Sequence, residues 1–267
     1  FASDMDEEIL EIYKANFQPV ESTSEDIDTL INGSIRNSKL TKQEKEFLRR
    51  YPNSVKPDLL SGGPPCQGHS DLNNHTRRSD ERNQLYFRMI RAAIVLQPKL
   101  VIIENVKTVI HSKQNVVFKS MHKLRQLGYK CIDMILSANF FGVPQKRERH
   151  FIIASLGEIP DLSHLEKIQT SRARTVRWAI EDILDIKSES LLDVKTKCTD
   201  ENQVRMDWLI ENDEYDLPDQ LRCDSHKKGN TYPAVYGRMY WDKPADTITA
   251  GFTSNGQGRF THPGAFP

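Results

Sequence analysis

Three short polar clusters hold the groups in this chain best suited to chemistry. They are Pro64-Pro65-Cys66-Gln67, Glu104-Asn105-Val106 and Gln145-Lys146-Arg147-Glu148-Arg149. Together they supply a thiol, a carboxyl and two guanidinium groups. A cysteine is a strong nucleophile only as its thiolate. A carboxyl positions or gives up a proton, and a guanidinium presents five donors in a rigid fork. Taken singly, a Cys is most often a small buried hydrophobe, and a Glu ending a strand is usually solvated. All three clusters, however, fall at the carboxyl ends of strand-like runs, which is where a doubly wound sheet binds its ligands. The pattern predicts that thiol, carboxyl and guanidiniums converge in one cleft.

The elements that must position these groups alternate between helical and strand periods, the rhythm of a β/α protein. Ile9, Ile12, Tyr13 and Phe17 predict an amphipathic helix, and Thr41-Lys-Gln-Glu44 has capping-box spacing before a charged helix with Phe47 and Leu48. Leu59-Leu60 reads as a strand running into the tight loop Ser61-Gly-Gly-Pro-Pro-Cys66. Leu85, Met89, Ala92, Ala93 and Leu96 mark a helix stopped by Pro98. Leu100-Val-Ile-Ile-Glu104 is the clearest buried parallel strand. A helix from about Val116 to Leu127 should end at Gly128, and Cys131–Leu136 and Phe151–Ala154 read as further strands. After about residue 187 the rhythm fails. Acidic stretches lead into 229–262, rich in Gly, Thr, Tyr and Pro, so a second region of irregular or β structure is expected there.

Composition bounds the function. The chain has 267 residues, 37% of them hydrophobic, enough for a buried core in one large domain or one with a smaller partner. No apolar run approaches the roughly 18 residues of a membrane span, and residues 1–20 are too acidic for a secretory signal. The four cysteines include no Cys-x-x-Cys pair, which fits a reducing compartment rather than a disulfide framework. Cys66-Gln-Gly-His69 offers half of a zinc site with no second half, so no metal is expected. The net charge of zero hides local asymmetry: residues 76–91 carry Arg77, Arg78, Arg82, Arg88 and Arg91 against Asp80 and Glu81. Local basic patches are compatible with nucleic acid, although solvated helix faces are the better explanation of any single charge run.

Read together, Gly62-Gly-Pro-Pro-Cys-Gln-Gly-His-Ser70, Glu104-Asn-Val106 and Gly142-Val-Pro-Gln-Lys-Arg-Glu-Arg149 resemble the ordered motifs of the DNA cytosine-5 methyltransferases. Ala2-Ser-Asp-Met-Asp6 is similar to that family's second cofactor segment, and Tyr236-Gly-Arg-Met, Asp246-Thr-Ile-Thr249 and Gly258-Arg-Phe resemble the end of its target-recognition region in bacterial members. The resemblance implies a Rossmann-like α/β methyltransferase domain over 1–186 and a smaller target-recognition region over 187–267. It implies Cys66 as nucleophile toward cytosine carbon 6, Glu104 as the partner of ring nitrogen 3, and Arg147 and Arg149 as holders of Glu104 and the base carbonyl. The target base would be flipped out of double-stranded DNA to reach Cys66.

The implied methyl donor is S-adenosylmethionine, leaving as S-adenosylhomocysteine. Asp4 matches the residue that holds the ribose hydroxyls, Met5 the one that packs on adenine, and Asp26 with Ile27 the segment that meets the adenine edge. Pro65 and Leu85 match further cofactor contacts. Gln67, Gln145 and the loop arginines Arg77, Arg78 and Arg82 are expected at DNA, with Arg238, Thr249 and Arg259 from the recognition region. Two departures stand out. No Phe-x-Gly-x-Gly loop precedes Phe1, and the later Asn-containing motif is not reached by Pro267. The chain also starts without Met. The expectation is therefore a part of a longer or split enzyme that binds S-adenosylmethionine poorly by itself.

The resemblance further implies a restriction–modification type of enzyme, monomeric and cytoplasmic, associated with the nucleoid. Three alternatives differ in class. A tRNA cytosine-5 methyltransferase of the same family usually carries Cys-Phe-Thr, to which Cys198-Thr199 is the nearest approach. An amino-group methyltransferase has a Pro-Pro-aromatic loop, but Cys66 replaces the aromatic. A non-catalytic nucleic-acid-binding fragment would not need the retained Cys, Glu and Arg set.

Overall fold

The computed structural model describes residues 1–65, 85–170, 172–184, 198–227, 234–249 and 255–264. The chain divides into two compact units, the first made of Phe1–Leu136 and Arg149–Asp161, the second of Ser137–Glu148 and Leu162–Pro267. The boundary expected near residue 187 falls within 185–197, outside the described residues.

The first unit opens with strand β1 (Ala2–Ser3), helix α1 (Glu7–Phe17) and strand β2 (Ser22–Thr23), and β1 pairs in parallel with β2. Asp6 caps α1 by accepting from the Glu8 and Ile9 amides. The helix forms as its period predicts, but its apolar face is largely exposed. Leu10 is buried, whereas Ile9, Ile12 and Phe17 are more than half exposed. Helix period thus located the element without locating what covers it.

Helices α2 (Ile27–Leu30) and α3 (Lys42–Arg50) follow, then strand β3 (Leu59–Gly62), helix α4 (Leu85–Leu96) and strand β4 (Leu100–Val106). Helix α5 (Val116–Gln126) stops before Gly128, as expected, and leads to strands β5 (Lys130–Ser137) and β6 (Glu148–Ser155). The second sheet runs β3-β4-β6-β5, with β4 parallel to β3 and antiparallel to β6. Val101 and Ile103 of β4, Ile152 and Ala154 of β6, Tyr86, Ile90 and Ala93 of α4, and Val116, Met121 and Leu124 of α5 form one core. Helices α4 and α5 therefore cover a common face of this mixed α/β sheet.

Helix α4 is buried almost all round, and Arg91 lies inside it with no exposed surface. A buried charge must be paired and fully hydrogen-bonded. Arg91 forks onto the equally buried Glu44, Nε to Oε1 at 2.7 Å and Nη2 to Oε2 at 2.5 Å. Its other donors reach the carbonyls of Ser34, Asn37 and Lys39, so all five are used. The Gly33 and Thr41 amides donate to the same carboxylate at 2.8 Å each. The Thr41 capping box read from sequence thus closes on a carboxylate that is also the counter-ion of α4. Gly33 permits the approach, because a Cβ there would sit 2.4 Å from the guanidinium. Burial opposes the charge on Glu44, but Arg91 and the two amides outweigh it and hold the carboxyl below its ordinary range.

Among the described residues, the second unit holds helices α6 (Ser163–Lys167), α7 (Val176–Ile180) and α8 (Asp200–Glu211), single turns of 3₁₀ helix and isolated bridges. Leu209, Leu217, Val235 and Tyr236 form its small core. The twelve-residue α8, capped by Thr199, departs from the irregular or β structure expected after residue 187, whereas the described residues of 229–262 hold one 3₁₀ turn and isolated bridges.

Arg91→Met should destabilise the chain by about 3–5 kcal/mol, the usual cost of stranding one partner of a buried pair. Adding Glu44→Leu should not restore it, because the Ser34, Asn37 and Lys39 carbonyls stay unpaired; urea unfolding of the three proteins checks this. Since Glu44 titrates lower in the folded chain, its contribution is present above its unfolded value of about 4.3 and disappears as pH falls through the lower folded value.

Candidate active site

The β4–β6 register sets the geometry at the end of β4. Val106 stands opposite Arg149, and Glu104 opposite Phe151. Side chains alternate along a strand, so Glu104, Val106 and Arg149 share a face and Glu104 and Arg149 are diagonal neighbours. Arg149 Nε lies 2.8 Å from Glu104 Oε1, with the arginine largely buried and the carboxylate more open. On the other side, β3 places Gly62 opposite Ile103 and sends the chain through Gly63 toward Cys66. A Cβ on Gly63 would stand 3.0 Å from Glu104 Oε2, so the glycine keeps room for the carboxyl.

Asn105 points to the opposite, buried face, and its amide nitrogen donates to the Pro64 carbonyl at 3.1 Å. The same side chain accepts from the Val106 amide at 2.9 Å. Asn105 therefore fastens the segment two residues before Cys66 to the strand that carries Glu104. Nothing in its residue type announced this; only the pairing of β3 with β4 brings Pro64 over it. Next along β6, buried His150 meets Asp133 through Nε2 at 3.0 Å.

Two carboxylates follow the carboxyl ends of the paired strands β1 and β2. The Asp4 amide donates to the Thr23 carbonyl, and the Asp4 carboxylate accepts from Asp6. Asp26 is the N-cap of α2 and accepts from the Asp28 amide at 2.8 Å. Met5, beside Asp4, is 73% exposed, and Ile27 is half-buried. Carboxylates suit sugar hydroxyls and an exocyclic amine, and an exposed thioether suits a purine face. These acceptors and the exposed thioether fit a nucleoside cofactor.

The profile of the C-5 cytosine-specific DNA methylases matches residues 1–262. The chain belongs to this family. It is 41% identical over 264 residues to Type II methyltransferase M1.BsuMI of Bacillus subtilis (strain 168), covering 98% of this chain and 61% of that protein. It is 30% identical over 234 residues to Type II methylase M.HgiDII of Herpetosiphon aurantiacus, covering 82% and 64%. The crystal structure of the S. pombe Dnmt2 methyltransferase shares the fold, with a TM-score of 0.55 at 19% identity, over 96% of this chain and 65% of that one. The chain thus spans a little over three fifths of the length of the two relatives it is compared with here.

Against this family's pattern, the structure joins Glu104 to Arg149 but treats the other expected residues differently. Arg147 belongs to the second unit and is exposed. Gln145, in the same unit, spends its side-chain oxygen on the Ile248 amide at 3.2 Å. Arg238 is buried and donates to Asp213 and to the carbonyls of Pro263 and Leu209. Arg259 reaches the carbonyls of Tyr215 and Arg238, and Asp216. Both arginines, expected at DNA, therefore hold the second unit together from within; a basic residue read from sequence carries no sign of whether carbonyls will surround it. Thr249 is half-buried, Pro65 is exposed and Leu85 is half-buried. Cys66, Gln67, Arg77, Arg78 and Arg82 lie outside the described residues. Of the described thiols, Cys131 and Cys198 are pushed up by burial, away from the reactive thiolate.

Replacing Asn105 by Asp puts an acceptor against the Pro64 carbonyl. The expected loss is about 1–3 kcal/mol of unfolding free energy, with a changed alkylation rate at Cys66 read by mass spectrometry; an unaltered rate would show that Asn105 does not act on Cys66.

Proposed function

We propose that the chain carries the catalytic centre of a DNA cytosine-5 methyltransferase of the restriction–modification type. Its target-recognition region is residues 187–267, following a catalytic domain over 1–186. The observation that carries the reading is the Glu104–Arg149 pair at the end of β4, beside the β3 end that leads to Cys66. The family membership agrees with it.

Carbon 5 of cytosine is too electron-poor to take a methyl group directly. The Cys66 thiolate adds at carbon 6 of a base flipped from double-stranded DNA, and the ring becomes an enamine with a nucleophilic carbon 5. Glu104 hydrogen-bonds ring nitrogen 3, where charge changes during the attack, and Arg149 holds its carboxyl in place. Arg147 is the proposed second guanidinium at the base, with the loop arginines Arg77, Arg78 and Arg82 on phosphates. When bound, S-adenosylmethionine supplies an electrophilic methyl group. Asp4 would hold its ribose hydroxyls, Met5 would pack on the adenine, Asp26 with Ile27 would meet the adenine edge, and Pro65 and Leu85 would make further contacts. After transfer, a base takes the carbon 5 proton and the bond to Cys66 breaks, returning the thiolate. The protein acts as a monomer in the cytoplasm, on the nucleoid.

Cys66→Ser should abolish methylation and leave DNA binding largely intact, since a hydroxyl is a far poorer nucleophile at neutral pH. DNA with 5-fluorocytosine at the target should trap the wild type covalently through Cys66; an adduct elsewhere sinks the mechanism. Labelled S-adenosylmethionine offered with DNA or with tRNA distinguishes the substrate. Glu104→Gln should slow the chemical step by at least about a hundredfold with little change in cofactor affinity, and equal losses in both would move Glu104 into the cofactor site.

A further inference from the structure

Helix α2 is a single turn, and a turn that short has no stability of its own. Its Asp26 N-cap and Ile27 are two of the residues proposed to meet the adenine, so something else must hold them in place. Leu30, Ile31 and Phe47 pack it against Ala92, Val95 and Leu96 of α4, which fixes its depth. Apolar packing is non-directional and leaves the turn's rotation open.

One side chain supplies direction. Arg88, on α4, donates through Nε to the Asp28 carboxylate and through Nη1 to the carbonyls of Ile31 and Gly33, at 3.3 and 3.2 Å. Those carbonyls stand just past the α2 C-terminus, where backbone acceptors lack helical partners and a cation is favoured. The three contacts grip α2 at its first turn and beyond its end. Arg88 also lies three residues after Leu85, a further proposed cofactor contact, so the two share one face of α4. The guanidinium thus links the two elements that carry Asp26, Ile27 and Leu85. Arg91, one turn further, is spent on Glu44 and the carbonyls of Ser34, Asn37 and Lys39, and none of these hydrogen bonds goes to α2.

We propose that Arg88 is a positioning residue of the cofactor site, which sets the orientation of Asp26 and Ile27 relative to Leu85 by clamping α2. The inference rests on the cofactor assignment made above. Its consequence is specific: losing the clamp lowers the population of the binding-competent turn and leaves the groups on the base untouched. If that population falls to about a tenth, the apparent Kd rises about tenfold.

The test titrates S-adenosylhomocysteine calorimetrically into wild type, Arg88→Met and Arg88→Lys, with amide hydrogen exchange on the same proteins. Met keeps the apolar stem of the arginine; Lys keeps the charge on Asp28 but not the fork onto two carbonyls. The expected result is a Kd about tenfold weaker for Met and about threefold for Lys. Amides of Thr29, Leu30 and Ile31 should exchange faster while those of β4 do not change, and methylation at saturating cofactor should keep its rate. Unchanged affinity in Arg88→Met, or unchanged exchange in α2, overturns the proposal. So does a parallel fall in β4 protection, saturated rate and affinity, which would make Arg88 a general structural residue. Wild-type affinity that Asp26→Ala leaves unchanged, with α2 exchange still answering to Arg88→Met, overturns the assignment of Asp26 and Ile27 and keeps only the clamp.

Discussion

The register of β6 against β4 is the constraint on which the site depends. Side chains on a strand alternate with a period of two, so a slip of one residue would carry Arg149 to the opposite face from Glu104. The register is held by Val101 and Ile103 against Ile152 and Ala154, whose burial a slip would undo. The same alternation sends Asn105 inward to the Pro64 carbonyl. Apolar packing on one face thus fixes polar geometry on both.

A second constraint acts through α4. A helix buried almost all round cannot carry an arginine unless every donor is met, and Arg91 meets this with Glu44 and three carbonyls. Ordering that loop backbone costs conformational entropy, offset here by burying a charge pair with no unmet group. Arg88 extends the hold of α4 to the turn before the loop. Residues 26–44 include little regular structure, so their shape comes from guanidinium groups on a neighbouring helix.

The second unit uses its arginines in the same way. Arg238 and Arg259 reach carbonyls and the carboxylates of Asp213 and Asp216, and Tyr215 stacks on Tyr240 with ring centroids 4.3 Å apart. With a core of few apolar residues, such a unit relies on charged side chains that bond its irregular backbone.

Much of the fold was legible because it rests on local chemistry. Leu100–Val106, the Thr41 capping box, the end of α5 before Gly128 and the strands around Cys131 and Phe151 all follow from period and cap signals in neighbouring residues. The motif order around Cys66, Glu104 and Arg149 pointed to the family for the same reason: order and spacing are properties of the chain. Tertiary structure alone decided which partner each polar group received. The resemblance implied that Arg149 would hold Glu104, but sequence could not tell that Asn105 would hold Pro64, that Arg88 would clamp α2, or that Arg238 and Arg259 would turn inward rather than outward. It also marked one face of α1 as apolar without saying whether that face would be covered. Period and cap are set within a few residues, whereas a guanidinium's partners lie up to about 60 residues away and exist only once strand register and helix packing have brought them together.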